Sequence, residues 1–250
     1  MTDARTYLGL DAYLFDLDGV LTPTAEVHMH AWALMFTEFF ESRAVRPYTD
    51  ADYFEHLDGK PRYAGVADLL ASRGIVLPTG DPTDAPDVLT VCGLGNRKNE
   101  VFTSVLRDEG VAPYPGSIAL IEAALAAGLK IAVVSSSRNA VPVLAAAKLD
   151  HYFEVVVDGL LAAAKHIPGK PAPDTYLYGA ELLGVPRERA IVVEDAPSGV
   201  AAGRAGDFGF VLGVNRGAGA AELLENGADE VVDDLLPVAI ALQQFEGNRA

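Results

Sequence analysis

From Tyr114 onward, short apolar runs alternate with helical segments, and this alternation constrains the fold more than any other feature of the chain. Continuous runs of Val, Ile and Leu separated by helices are typical of a parallel sheet that helices cover on both faces. The pattern therefore predicts an α/β fold with a doubly wound parallel sheet. The predicted strands are Leu129–Val134, Phe153–Val157, Ala190–Val193, Phe208–Val214 and Glu230–Val232.

One further predicted strand, Leu10–Phe15, is separated from the others by a long helical stretch. This stretch contains no segment that resembles a buried parallel strand, and it includes a loop rich in proline, glycine and aspartate. We therefore predict two domains, residues 1–23 plus 109–250 for the sheet domain and residues 24–108 for an inserted helical domain. The helices predicted in the insertion are Thr24–Arg43, Ala64–Arg73 and Asn96–Asp108.

Polar residues follow the predicted strands at the points where these strands end. In an open α/β sheet, ligands bind outside the carboxyl ends of the strands. The sequence therefore predicts a functional site at this edge of the sheet. The residues expected there are Asp16 and Asp18, then Ser135 to Asn139, then Asp158, and finally Glu194 and Asp195.

Four of these residues, Asp16, Asp18, Glu194 and Asp195, are carboxylates that would raise one another's pKa if they converged without a cation. Mg²⁺ is a hard cation that binds carboxylate, water and phosphate oxygens, so we predict a magnesium site at these four residues. The alternative is that each aspartate only caps a helix or a turn. That alternative explains one aspartate more easily than the whole set.

Asp16 is the predicted nucleophile, because a carboxylate is ionised at neutral pH and can form an aspartyl-phosphate. Asp18, two residues further on, can transfer a proton to or from the reacting oxygen. Lys170, in a proline-rich turn before a helix, supplies positive charge, and the Ser135 hydroxyl can donate to a phosphoryl oxygen. Read alone, Lys170 is equally compatible with an ordinary surface lysine.

These motifs, in this order, resemble those of the haloacid-dehalogenase-like superfamily, and the resemblance extends over nearly the whole chain. It implies a Rossmann-like core with a helical cap domain inserted after the first strand. It also implies Mg²⁺ held by Asp16, Asp195 and the backbone carbonyl of Asp18, with assistance from Glu194. The dehalogenases of this superfamily lack an acid/base at the position of Asp18, so this residue favours phosphoryl transfer.

Within the superfamily, the segment Asp16 to Trp32 is similar to the opening of the β-phosphoglucomutases. The resemblance implies substrate-binding or hinge roles for Thr24 and His28, for Arg62, Lys98 and Asn99 in the cap, and for Ser137, Arg138 and Asn139 in the core. The sequence departs from the subgroup at Pro23, at Ala196 and in a longer loop, Leu77 to Val91.

The formal net charge of −16 argues against nucleic acid as a partner, because phosphate backbones bind Lys and Arg patches. No apolar run reaches the roughly 18–20 residues that cross a bilayer, and no secretory signal is apparent. The single cysteine, Cys92, fits a reducing compartment. We therefore expect a cytoplasmic protein that binds no membrane. The resemblance to the β-phosphoglucomutases implies a small sugar phosphate as substrate, and we expect a monomer.

The leading functional hypothesis is a β-phosphoglucomutase, which interconverts β-glucose 1-phosphate and glucose 6-phosphate. The main alternative is a sugar-phosphate phosphatase that uses the same core residues with water as the second nucleophile. A catalytically idle acidic binding domain is a third hypothesis, although Asp16, Asp18, Lys170 and Asp195 are all present. A phosphonate-cleaving enzyme would need a Schiff-base lysine, a role that the sequence cannot assign to Lys60 or Lys98.

Overall fold

The computed structural model describes residues 8–57, 60 and 62–247. The chain divides into two compact units. The sheet unit comprises the described residues up to Pro23 and those from Val111 onward, and the helical unit comprises Thr24–Gly110. In the described part of the chain, no helix is long and apolar enough to cross a membrane.

The helical unit is built around a core of aromatic and aliphatic side chains. The rings of Trp32 and Phe36 are stacked with centroids 5.6 Å apart, and Phe36 also stacks on Phe40 at 5.3 Å. A buried ion pair between Arg73 and Asp52, 2.6 Å long, lies at the edge of this core. The helices are α1 (Thr24–Glu41), the short α2 (Asp50–Asp52), α3 (Arg62–Ser72) and α4 (Val91–Glu109), with a π-helical segment at Tyr53–Leu57.

The sheet unit contains a parallel sheet of six strands within the described residues, in the order β3-β2-β1-β4-β5-β6. The strand registers place Phe15 beside Val133 on one neighbouring strand and Val193 on the other, so these strands end at the same edge. The strands are β1 (Ala12–Phe15), β2 (Lys130–Val134), β3 (Val155–Val157), β4 (Ala190–Glu194), β5 (Phe210–Val214) and β6 (Glu230–Val232).

The strand order reverses at β1, because the chain builds outward to β3 and then returns to β4 on the other side of β1. Right-handed crossovers place the helices before and after such a reversal on opposite faces of the sheet. The α/β class and the doubly wound parallel sheet are therefore confirmed. The helices of this unit are α5 (Pro115–Ala126), α6 (Ala140–Ala146), α7 (Gly159–Ala164), α8 (Asp174–Leu183), α9 (Pro197–Ala205), α10 (Ala220–Glu225) and α11 (Leu236–Gly247).

The predicted start of one helix was wrong. Helix α4 begins at Val91 rather than Asn96, because the Thr90 side chain accepts a hydrogen bond from the Gly93 amide and caps the helix. Gly93 itself lies within α4, where an added Cβ would come within 2.1 Å of the Val88 carbonyl. A glycine that signals a helix break in sequence is here a requirement of close packing. Helices α2, α7 and α11 were not predicted from the sequence.

Candidate active site

Lys170 joins two of the predicted acidic residues at the carboxyl edge of the sheet. Its ammonium donates to Asp16 Oδ1, to Glu194 Oε1 at 2.6 Å and to the Val134 carbonyl at 3.0 Å. The Lys170 side chain is 7% exposed, and that of Glu194 is 1% exposed. Asp16, Lys170 and Glu194, which are far apart in sequence, thus form one buried ion network at the ends of β1, β2 and β4.

Glu194, the last residue of β4, is held by more than the lysine. Its Oε1 also accepts from the Tyr176 hydroxyl at 3.2 Å, and its Oε2 accepts from the Ala196 amide at 2.9 Å. Gly199 leaves room for this carboxylate, because an added Cβ would lie 1.6 Å from Glu194 Oε1. Glu194 is therefore fixed in orientation on both oxygens.

The charges of this acidic cluster perturb one another. Burial raises the pKa of Asp16 well above its ordinary value, Lys170 opposes this, and Glu194, Asp18 and Asp195 add to it. Burial followed by Glu194 raises the pKa of Asp195 to about 8. Burial lowers the pKa of Lys170, but Asp16 and Glu194 outweigh it and hold that pKa well above the usual value, so the lysine stays charged.

Asp18 lies in a tight turn that follows β1. Gly19 has φ +80°, and an added Cβ at this position would lie 1.8 Å from Asp195 Oδ2. The Gly19 amide donates to the Thr22 carbonyl at 2.8 Å, and an isolated bridge pairs Asp18 with Thr22. The turn therefore brings the backbone beside Asp18 directly against Asp195.

The predicted phosphate loop follows β2. Ser135 is buried, and its hydroxyl accepts a hydrogen bond from the Ser137 amide at 3.0 Å. The Ser137 hydroxyl in turn accepts from the Asn139 amide at 3.1 Å, and Arg138 is exposed. Asp158, at the end of β3, caps α7 by accepting from the Leu161 amide at 2.7 Å. Asp158 therefore caps a helix, which was the structural alternative considered for each aspartate in the sequence analysis.

The helical unit brings four of its predicted residues together in a second cluster. Lys98 is 3% exposed, and its ammonium contacts His28 Nδ1 at 2.5 Å. Arg62 donates to the side-chain carbonyl of Asn99 at 2.8 Å. Thr24, the first residue of α1, is fully buried. The cluster therefore combines three helices, α1, α3 and α4, and carries two basic side chains.

The pKa of His28 depends on these neighbours. Burial, followed by the charges of Lys98 and Arg62, holds the pKa of His28 well below its ordinary value, so the imidazole is neutral at neutral pH. An ammonium can only donate, so Nδ1 of His28 accepts and the ring proton lies on Nε2. The ring also stacks on Phe102 with centroids 4.2 Å apart.

Sequence reasoning missed several aromatic residues that shape both clusters. Lys98 lies 5.0 Å from the ring centroid of Trp32 and 4.8 Å from that of Phe102, and Lys170 lies 4.8 Å from that of Tyr176. A cation over an aromatic face is attracted by the ring quadrupole. In sequence these rings are indistinguishable from ordinary core residues at helical spacing.

A magnesium site was predicted at Asp16, Asp18, Glu194 and Asp195. Among the described residues, no group of three or more His, Cys, Asp or Glu side chains is arranged to hold a metal ion. The chemistry of the donor set nevertheless fits a hard cation, because carboxylates that raise one another's pKa surround the single charge of Lys170. The fit therefore rests on charge and donor type.

Comparisons with known proteins agree with this fold. The family model of haloacid dehalogenase-like hydrolases matches residues 10–207. A β-phosphoglucomutase of Mycobacterium tuberculosis is 51% identical over 234 residues, which cover 90% of this chain and 89% of that protein.

Solved structures give the same result. A β-phosphoglucomutase of Clostridium difficile has a TM-score of 0.71 at 25% identity, covering 96% of this chain and 98% of that chain. A mutant of CbbY from Rhodobacter sphaeroides, in complex with xylulose-(1,5)bisphosphate, has a TM-score of 0.66 at 27% identity, covering 91% and 95%. This chain therefore belongs to the haloacid dehalogenase-like hydrolase family, and it is an enzyme of the phosphotransferase and hydrolase class.

Proposed function

We propose that this enzyme is a Mg²⁺-dependent β-phosphoglucomutase that interconverts β-glucose 1-phosphate and glucose 6-phosphate through an aspartyl-phosphate on Asp16. The observation that carries the proposal is the 51% identity to a β-phosphoglucomutase over 90% of the chain. The acidic cluster alone supports phosphoryl transfer but suits a phosphatase equally well.

In the proposed cycle, phosphorylated Asp16 donates its phosphoryl group to the free hydroxyl of β-glucose 1-phosphate. The resulting bisphosphate reorients, and its other phosphoryl group returns to Asp16, which releases glucose 6-phosphate. In each step one oxygen–phosphorus bond forms as another breaks. Asp18 accepts the proton of the attacking hydroxyl and returns a proton to the leaving oxygen of the sugar.

Lys170 supports this cycle because it remains charged against Asp16 and Glu194. It holds one carboxylate oxygen of Asp16 in a fixed direction and offsets negative charge as a phosphoryl group approaches. We propose that Asp16, Asp195 and the Asp18 backbone hold Mg²⁺, with Glu194 in support. Mg²⁺ would neutralise charge on the phosphoryl oxygens.

The remaining residues are proposed to bind the substrate and to select a sugar phosphate. Arg62 and Lys98 supply a guanidinium and an ammonium, which suit a phosphate group and sugar hydroxyls, and Asn99 adds an amide. Ser137, Arg138 and Asn139 are proposed for the phosphate at the other end of the substrate. Thr24 and His28 are proposed to influence the position of Asp18. A small sugar phosphate is accordingly the proposed partner.

A phosphatase is the second candidate, and the description of the matching family as hydrolases favours it. It would use Asp16, Asp18, Ser135 and Lys170 in the same way, with water attacking the aspartyl-phosphate. The two functions differ only in which nucleophile removes the phosphoryl group from Asp16.

The deciding experiment supplies β-glucose 1-phosphate, Mg²⁺ and a trace of the bisphosphate, and follows glucose 6-phosphate and free phosphate together. The proposal expects glucose 6-phosphate to form much faster than free phosphate, and it expects EDTA to stop the reaction. Free phosphate without glucose 6-phosphate would contradict the mutase and support the phosphatase.

A further inference from the structure

The turn that carries Asp18 is held by donors from distant parts of the sheet unit. Three consecutive carbonyls of this turn each accept a hydrogen bond from a residue more than 90 positions away in sequence. The donors are Arg216 Nε to Gly19 at 3.0 Å, the Ser117 hydroxyl to Val20 at 2.6 Å, and the Tyr114 amide to Leu21 at 3.0 Å. We refer to these three contacts as the turn clamp.

Arg216, which follows β5, connects the turn clamp to a second loop. Its Nη1 donates to the Asp233 carbonyl at 3.0 Å, and its guanidinium carbon lies 3.9 Å from the centroid of the Tyr114 ring. A planar guanidinium with fixed donors is suited to hold two carbonyls and a ring at once. One side chain therefore ties the Asp18 turn, the start of α5 and the loop after β6 together.

The partners of Arg216 are backbone carbonyls and an aromatic ring. Within the described residues it forms no ion pair with a carboxylate, although the chain carries a net charge of −16. Its Nη2 is buried and has no hydrogen-bond partner there. A buried charged donor without a partner is destabilising. Hydrogen bonds to carbonyls, rather than a salt bridge, therefore hold the Arg216 side chain.

The backbone of the turn at Gly19 has little room to move, because it lies against Asp195. Gly19 is in a left-handed conformation, and its Cα faces Asp195 so closely that no side chain would fit. The Gly19–Val20 peptide follows Asp18 after a single residue, so its orientation is coupled to that of Asp18 through the backbone of Gly19. The Arg216 contact fixes this peptide plane through its carbonyl oxygen.

We propose that Arg216 is a positioning residue for Asp18: it fixes the Gly19 carbonyl and so holds the acid/base in line for proton transfer. This inference rests on the proposed function, in which Asp18 moves the proton. It predicts that loss of the guanidinium loosens the turn and slows the chemical step while substrate binding is retained.

The test compares Arg216→Met with Arg204→Met. Arg204 is a matched control, because its guanidinium also holds a glycine carbonyl, that of Gly227, at 2.9 and 2.7 Å, in the turn before β6. Amide hydrogen exchange is measured for the peptide that contains residues 16–23. In the Arg216 variant, we expect exchange of this peptide to accelerate by about 10- to 100-fold, the loss expected for a hydrogen bond from a charged group. The Arg204 variant should leave it unchanged.

Steady-state kinetics provide the second readout. We expect kcat of Arg216→Met to fall about 10- to 100-fold with KM nearly unchanged, as for loss of a residue that orients a catalytic group. Arg216→Lys, which keeps the positive charge but not the planar fork of donors, should lie between this variant and the wild type. If Arg216→Met does not fold, Arg216→Lys carries the same comparison.

Equal exchange of this peptide in the wild type and the Arg216 variants would overturn the inference, and so would an unchanged kcat. A wild type that releases phosphate without forming glucose 6-phosphate would instead contradict the proposed mutase. The exchange comparison needs no substrate, so the two failures are distinguishable.

Discussion

The candidate clusters of the two units carry opposite kinds of charge. The sheet unit gathers Asp16, Asp18, Glu194 and Asp195 around one lysine, and the pKa of Asp16 and that of Asp195 are raised. The helical unit gathers two cations around a neutral His28 whose pKa is lowered. In both units, burial is the largest cause of the shift.

This difference indicates which type of charge or group stabilises each cluster. A buried group of carboxylates is stabilised by cations, and a buried group of cations is stabilised by anions or by aromatic faces. A divalent cation suits the first cluster and a phosphorylated polar substrate suits the second. The predictions below test this contrast, beginning with the largest expected effect.

Replacing Asp16 by Asn should abolish turnover while the protein stays folded. Because Asp16 is the proposed nucleophile, we expect kcat to fall by about 10,000-fold or more. Asp158→Asn is the matched control: Asp158 also follows a strand, but it caps α7, and Asn is an equally good cap. Comparable turnover in the two variants would remove Asp16 from the chemistry.

Replacing Lys170 by Met leaves Asp16 and Glu194 buried without their shared cation. Removing one partner of a buried ion pair costs about 3–5 kcal/mol, so the free energy of unfolding should fall by about this amount. Urea denaturation of Lys130→Met provides the control, because Lys130 is exposed and its ammonium donates to the Leu183 carbonyl at 2.6 Å. Equal losses in both variants would mean that the acidic cluster needs no internal cation.

Replacing Lys98 by Met tests the helical unit. We expect kcat/KM for β-glucose 1-phosphate to fall about 100-fold, equal to about 2.7 kcal/mol of lost transition-state stabilisation. The ratio of glucose 6-phosphate to free phosphate should also fall. Lys60→Met is the control in the same unit, since Lys60 is exposed and pairs with Asp68. An unchanged product ratio for Lys98→Met would show that Lys98 does not direct the phosphoryl group to sugar.

The lowered pKa of His28 predicts that the stability of the protein depends on pH. The native imidazole has a pKa well below its ordinary value, so it stays neutral while the unfolded chain takes up a proton as the pH falls through about 6.5. The unfolded state then binds more protons, and His28 lowers stability below this pH by at most about 1.4 kcal/mol per pH unit.

This effect is measured as the difference in unfolding free energy between the wild type and His28→Gln from pH 7 to pH 5. The difference should shift in favour of the variant as the pH falls. His30→Gln, at an exposed position of the same helix, serves as the control substitution. A constant difference between the wild type and His28→Gln would contradict the lowered pKa.

Much of the sheet unit could be predicted from sequence, because parallel strands bring their carboxyl ends to one edge. Asp16, Ser135 and Glu194 follow directly from that rule. Lys170 comes from a loop, and only its order among the motifs indicated its place.

Contacts that depend on packing could not be predicted. Asn96 and Arg97 lie beside Lys98 in sequence, yet they bind the carbonyls of Asp84 and Pro86 and hold the preceding loop. Arg216 was not singled out in the sequence, since nothing local reveals its contact with a carbonyl 197 positions away. Such partners are set by the tertiary fold.

The central claim is that Asp16 accepts the phosphoryl group, and chemical trapping tests it most directly. The enzyme is mixed with the bisphosphate and Mg²⁺, quenched and reduced with borohydride, which converts an aspartyl-phosphate to homoserine. Mass spectrometry of the peptide that contains residue 16 should then find homoserine in place of Asp16, with Asp18 unmodified. Product formation without homoserine at residue 16, or with homoserine at another aspartate, would contradict the account.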